Sequence, residues 1–69
     1  MLSRLKRERL WKQLTLYDLR STTKISVSKL SLIERGLEKP REDEKIRLAK
    51  ALGAKVQDLF PTEGVPNEN

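Results

Sequence analysis

Residues 15–36, TLYDLRSTTKISVSKLSLIERG, decide the fold, because they contain two helix starts of the same kind. Thr15 is a favourable N-cap, and Asp18, three residues later, completes a capping box. Ser26 is a second N-cap. Gly36 stands where a left-handed residue ends the second helix. The stretch therefore predicts two short helices joined by a tight turn.

A hydrophobic pair supports each of these starts. Leu14 and Leu19 bracket the first cap, and Ile25 and Leu30 bracket the second. Such hydrophobic staples define the angle at which the chain enters a helix. Two capped helices of about seven to ten residues, joined by about four, match a helix-turn-helix.

The second of these helices has two different faces when its residues are placed about 100° apart. One face carries Ser26, Leu30, Ile33, Glu34 and Leu37, and the opposite face carries Ser28, Ser31, Leu32 and Arg35. The first face is apolar enough to contact a core. The second is small, polar and basic with one leucine, which suits the major groove of DNA.

Length and composition limit what the chain can do. Its 69 residues make one domain, near the size at which a single core is only marginally sufficient. The absence of cysteine and histidine excludes disulfides, zinc fingers and histidine-based catalysis. We therefore expect the protein to use neither a metal nor a cofactor. No apolar run approaches the ~18 residues of a membrane span and no signal peptide is recognisable, so we expect a cytoplasmic protein.

The charge favours a polyanionic partner. The chain has a net charge of +5. Residues 1–14 are the most basic segment, with Arg4, Lys6, Arg7, Arg9 and Lys12 against Glu8. A solvated helix face is the better explanation for that segment alone, but a neighbouring helix-turn-helix favours phosphate contact.

Residues 2–13 are predicted to form the first helix, with Leu2 and Leu5 on its buried face. Arg9 falls inside that apolar stripe. Glu34 is likewise a charged residue on the core face of the second helix of the helix-turn-helix. Because an unpaired buried charge is costly, we expect Arg9 and Glu34 to form a partly buried ion pair. The alternative is that Arg9 extends its guanidinium into water.

Four side chains have two interpretations each. Trp11 could stack on DNA, although packing against the C-terminal segment or a second subunit is favoured. Tyr17 could donate its hydroxyl to a phosphate or be an ordinary surface aromatic. Lys39 and Arg41, on either side of Pro40, could touch the DNA backbone, whereas solvated loop charges are the default interpretation.

Two further helices are predicted after the loop. Residues 42–52 begin with Glu42, Asp43 and Glu44, as the helix dipole prefers, and Ile46, Ala49 and Leu52 mark the buried face with Leu48 beside them. That acidic cluster matches dipole compensation, and not a catalytic pair, so we do not expect an enzyme. Residues 56–60 form a short last helix. Residues 1–60 are thus one domain, and residues 61–69 a flexible tail.

Residues 5–60 resemble the phage-repressor and Cro-like helix-turn-helix family, also called the XRE family. The resemblance is carried by Thr15-x-x-x-Leu19, Ile25-Ser26, Leu30-x-x-Ile33-Glu34-Arg35-Gly36, Pro40, Leu48-Ala49-Lys50-Ala51-Leu52-Gly53 and Leu59-Phe60. It implies an all-α, five-helix, lambda-repressor-like bundle in which helices 2 and 3 form the helix-turn-helix.

The resemblance also implies which side chains contact DNA. Val27, Ser28 and Leu32 occupy the positions that contact base edges in this family. Of the two residues beside them, we expect Lys29 to contact bases and Ser31 to contact the DNA backbone. Leu16 stands where a polar residue usually meets a phosphate. Leu16 can offer only its backbone amide at a helix N-terminus. The position of Arg35 commonly meets the DNA backbone, and the family often pairs an arginine with an acid at the positions of Arg9 and Glu34.

Four positions besides Leu16 depart from the family pattern. Arg20 replaces a small alanine between helices 2 and 3. Lys24 replaces the glycine of the turn, so it is expected to adopt a left-handed conformation at a cost of roughly 1 kcal/mol. Val27 and Leu32 replace side chains that would hydrogen-bond to bases, so thymine methyl contacts become important, with Ser28 and Lys29 as the nearby donors.

The preferred hypothesis is a sequence-specific transcriptional regulator, a repressor that inserts residues 26–35 into the major groove. A homodimer would place two such helices about 34 Å apart over a pseudo-palindromic operator in double-stranded DNA. The alternative is a protein-interaction module, an antitoxin or bridging adaptor, in which Val27 and Leu32 contact another protein.

Overall fold

The computed structural model describes residues 3–61, and these residues form five helices and no strand. The helices are α1 (Arg4–Trp11), α2 (Leu16–Thr23), α3 (Val27–Glu34), α4 (Glu42–Leu52) and α5 (Val56–Leu59). The predicted all-α, five-helix architecture is confirmed, with α2 and α3 forming the helix-turn-helix. The predicted burial of Leu2 and most of the predicted tail lie outside the described residues.

The predicted caps of α2 and α3 are both formed. The Thr15 hydroxyl accepts from the Asp18 amide at 3.1 Å, and the Thr15 amide donates to the Asp18 carboxylate at 2.8 Å. These hydrogen bonds hold the pKa of Asp18 below its ordinary value. Ser26 Oγ accepts from the Lys29 amide at 3.1 Å. Both helix starts are therefore determined by side chains within three residues of the cap.

Helix α1 is shorter than the predicted residues 2–13. It begins at Arg4 because Ser3 is an N-cap, whose Oγ accepts from the Lys6 amide at 3.0 Å. It ends at Trp11 because Gln13 adopts a left-handed φ of 58°. The amides of residues 13 and 14 then donate to the carbonyls of residues 10 and 9, which is a Schellman ending built without glycine.

Two predicted core positions are wrong. Leu37 is 64% exposed, because Gly36 with φ 76° turns the chain away from α3 before Leu37 can continue the helix. Ile46 is 51% exposed. On α4 the buried stripe is instead Lys45, Leu48, Ala49 and Leu52, and Ile46 lies about 100° from the centre of that stripe.

The core lies where all five helices converge. Its buried side chains are Leu5, Leu19, Ile25, Leu30, Ile33, Leu48, Ala49, Leu52 and Leu59. Helix α2 packs on α3 and α4, and α5 packs on α1 and α4. Phe60 follows α5 and packs against the core, where the prediction had placed it inside the helix. This arrangement leaves one side of α3 uncovered by the described residues.

Candidate nucleic-acid interface

The turn between α2 and α3 is held by side chains as well as by backbone. Lys24 adopts the expected left-handed conformation, with φ 65°. Thr23 is fully buried, and its hydroxyl donates to the Leu19 carbonyl at 2.7 Å while accepting from the Ile25 amide at 3.2 Å. Arg47 of α4 donates to the Thr23 carbonyl at 2.7 Å. The turn is thus tied to α4, a contact that sequence analysis missed.

The inner side of α3 is anchored to α1 by the expected ion pair. Arg9 Nε donates to Glu34 Oε2 at 2.7 Å and Arg9 Nη2 donates to Glu34 Oε1 at 3.1 Å. Arg9 Nη1 also donates to the Leu14 carbonyl at 2.9 Å. Both side chains are at least nine-tenths buried, so this is a two-point, desolvated pair. The alternative, in which Arg9 extends into water, is excluded by this burial.

Lys29 lies in a different place from the one expected of a base-contacting residue. Its Nζ is 3.0 Å from Glu44 Oε2 and 3.6 Å from Glu38 Oε2, so the side chain turns toward α4 and the loop before it. The reason is angular, because Lys29 lies next to the buried Leu30 and Ile33 side of α3 and away from Ser28. Lys29 therefore links α3 to α4.

Glu44 receives hydrogen bonds from two groups. Its Oε1 accepts from the Arg41 amide at 2.8 Å, and its Oε2 accepts from Lys29 Nζ. Burial alone would raise the pKa of Glu44, but these hydrogen bonds and the nearby cations hold the pKa below its ordinary value. The carboxylate therefore stays charged at neutral pH and continues to hold Lys29.

The outer side of α3 forms a shallow depression, most of which is supplied by α3 itself. Its lining residues are Leu16, Val27, Ser28, Ser31, Leu32 and Arg35. Ser28 and Arg35 are exposed, and the others are half-buried. Three of the four expected base-contacting residues, Val27, Ser28 and Leu32, are thus brought together on one surface, beside Leu16, Ser31 and Arg35 from the expected backbone set.

The remaining expected backbone residues lie outside that depression. Tyr17 is 70% exposed in the first turn of α2. Lys39 and Arg41 are exposed in the loop between α3 and α4. The Arg41 guanidinium lies 3.5 Å from Asp43 and 3.9 Å from Glu44, so part of its charge is already balanced.

A second depression adjoins the first and contains residues that sequence analysis did not assign to DNA. Its lining residues are Ser3, Lys6, Arg9, Leu16, Ser31, Glu34 and Arg35. Lys6 stands one turn before Arg9 on the same side of α1. Once Arg9 was expected to face α3, this spacing could have placed Lys6 beside α3 as well.

No helix within residues 3–61 has the length and apolar character that crossing a membrane requires. A family model described as a helix-turn-helix domain matches residues 2–60, most of the chain. Comparisons with curated proteins and with solved structures found no match.

Proposed function

We propose that this chain, which belongs to the helix-turn-helix domain family, is a sequence-specific transcriptional regulator that acts as a repressor by occupying its operator. The observation that carries this proposal is the two-sided character of α3. Leu30, Ile33 and Glu34 are buried, while the opposite side offers to solvent a depression lined by apolar side chains, two serine hydroxyls and the Arg35 guanidinium. A helix supported from behind in this way can lie in the major groove without exposing the core.

Base recognition is proposed for Val27, Ser28 and Leu32. The hydroxyl of Ser28 can donate to or accept from a base edge, and the two apolar side chains suit thymine methyl groups. Lys29 was expected to contribute a donor, but its bond to Glu44 competes with that role. We therefore assign Lys29 to positioning α3.

Backbone contacts are proposed for two groups of residues. The depression on the outer side of α3, which is the proposed recognition surface, is lined in part by Leu16, Ser31 and Arg35. Their amide, hydroxyl and guanidinium can meet phosphate oxygens. Tyr17 and the loop cations Lys39 and Arg41 would contact phosphates farther out. Such contacts orient the protein on the duplex but carry no sequence information.

The protein is proposed to bind as a homodimer over a pseudo-palindromic operator. Two recognition helices would then lie about 34 Å apart, one turn of DNA. Trp11, 81% exposed, and its neighbour Leu10, 47% exposed, form the apolar surface at the end of α1 that supports this proposal. We propose that the complex forms in the cytoplasm.

The competing function is a protein-interaction module, because Val27 and Leu32 place apolar groups in the same depression. A salt titration of duplex binding separates the two functions. A DNA-binding protein loses affinity linearly on a log–log plot as counterions are released. Absence of duplex binding at low salt, together with loss of a protein partner in Leu32→Ala, would favour the interaction module.

Selection of bound sites from a random duplex pool tests the proposed function directly, and a palindromic consensus is the expected result. Ser28→Ala should then change the base preference at one position of each half-site, whereas Lys39→Ala should weaken all sequences about equally. Uniform weakening by both variants would contradict the assignment of Ser28 to base recognition.

A further inference from the structure

The second depression, between α1 and α3, is a cationic cleft. Lys6 comes from α1, Ser31 comes from α3, and Arg35 is the C-cap of α3. Arg9 and Glu34 lie at its inner side, where they balance each other's charge. The excess positive charge of the cleft therefore comes from Lys6 and Arg35.

Neither of these two cations has an ion-pair partner in the part of the chain that the structure describes. Within residues 3–61, no carboxylate lies within 4.0 Å of the Lys6 amino group or the Arg35 guanidinium. By contrast, Lys29, Arg41 and Arg47 all have carboxylate partners. The cleft thus keeps two cations available for an external anion.

The cleft is continuous with the recognition surface. Leu16, Ser31 and Arg35 line both depressions, so whatever occupies one lies beside the occupant of the other. The major groove is about 12 Å wide and is bordered by the two phosphate chains. If α3 lies in that groove, the neighbouring cleft meets one of these chains.

We infer that Lys6 is a further DNA-binding residue and that Lys6 and Arg35 together hold one phosphodiester group of the duplex backbone. Lys6 supplies an ammonium from the α1 side, Arg35 a guanidinium from the α3 side, and Ser31 a hydroxyl from α3. This inference rests on the proposed function. It makes α1 part of the interface as well as the support of α3.

The test compares Lys6→Gln with Lys12→Gln, which removes the same charge from the C-cap of the same helix outside the cleft. Duplex binding is measured by fluorescence anisotropy over a range of salt concentrations, and far-UV circular dichroism verifies that each variant is folded. Lys6→Gln should weaken all duplexes roughly three- to tenfold and lower the salt slope by about 0.9 for each bound copy, while Lys12→Gln keeps the slope of the unmodified protein. Lys6→Arg should retain the slope.

The possible failures are distinguishable. If the unmodified protein binds duplex DNA but Lys6→Gln and Lys12→Gln have equal slopes, the phosphate cleft is wrong and the proposed function stands. A change of base preference in Lys6→Gln would also overturn the inference, since a phosphate contact is independent of sequence. If the unmodified protein binds no duplex at low salt, the proposed function and the inference both fail.

Discussion

Lys24 occupies the left-handed region of φ/ψ space, where an L side chain crowds the following carbonyl oxygen. Replacing Lys24 with glycine should raise the free energy of unfolding by up to about 1 kcal/mol. The gain is reduced by the extra conformational entropy that glycine gives to the unfolded chain. Urea denaturation followed by circular dichroism measures the change. The matched control is Ser21→Gly within α2, which should lower the free energy of unfolding by about 0.5 kcal/mol. Equal destabilisation by both substitutions would contradict the strain at Lys24.

Arg9 and Glu34 form the second feature at the residue scale. Removing one partner leaves the other charge buried and unpaired, so Arg9→Met or Glu34→Leu alone should cost about 3–5 kcal/mol. In a urea-denaturation cycle, the double variant should be more stable than the sum of the two single losses predicts, with a coupling energy of about 0.5–3 kcal/mol. If a single variant is unfolded, recovery of folding in the double variant demonstrates the same coupling. Additive losses would argue against the pair.

At the scale of elements, α3, the proposed recognition helix, is attached at two points. Glu34, its last helical residue, bonds to Arg9 of α1, and Lys29, in its first turn, bonds to Glu44 of α4. Two attachments to two different helices restrain both the position and the rotation of α3. The outer depression therefore has a defined shape before any DNA is bound, which reduces the ordering cost of binding.

The Glu44 attachment predicts a dependence of stability on pH. The pKa of Glu44 is lower in the folded protein than its ordinary value of 4.5, so the unfolded chain binds the proton more tightly. The stability contributed by Glu44 is present above pH 4.5 and is lost as the pH falls through the folded pKa. In urea titrations from pH 7 to pH 3, the unmodified protein and Glu44→Gln should differ in the free energy of unfolding. This gap should narrow in acid. A gap that is constant over this range would contradict the charged contact.

At the scale of the whole molecule, the proposed dimer predicts a spectroscopic change. Trp11 is the only tryptophan of the chain and is 81% exposed, so its emission reports on whatever covers the end of α1. Raising the protein concentration should shift the emission to shorter wavelength in step with dimer formation in sedimentation, and Trp11→Ser should remain monomeric. Emission that changes only on adding DNA would indicate stacking on the duplex instead. Emission and sedimentation independent of concentration would exclude a dimer through Trp11.

The sequence by itself determined the elements of this protein. The caps at Thr15 and Ser26 and the turn at Gly36 depend on atoms within a few residues, so local chemistry was sufficient to locate α2, α3 and their connection. The Arg9–Glu34 pair was also predictable, because a charge inside an apolar stripe requires a partner and the chain offered one at a matching position.

Only the tertiary structure decided which long-range partners the other side chains have. Lys29 is bonded to Glu44, Arg47 reaches the Thr23 carbonyl, and Lys6 borders the recognition helix. The place of Lys6 follows from its spacing only once Arg9 is known to face α3. The first two contacts do not follow from periodicity, because each depends on the angle and offset at which two helices pack. That geometry is decided by how all the core side chains fit together, and no single segment of the sequence contains it.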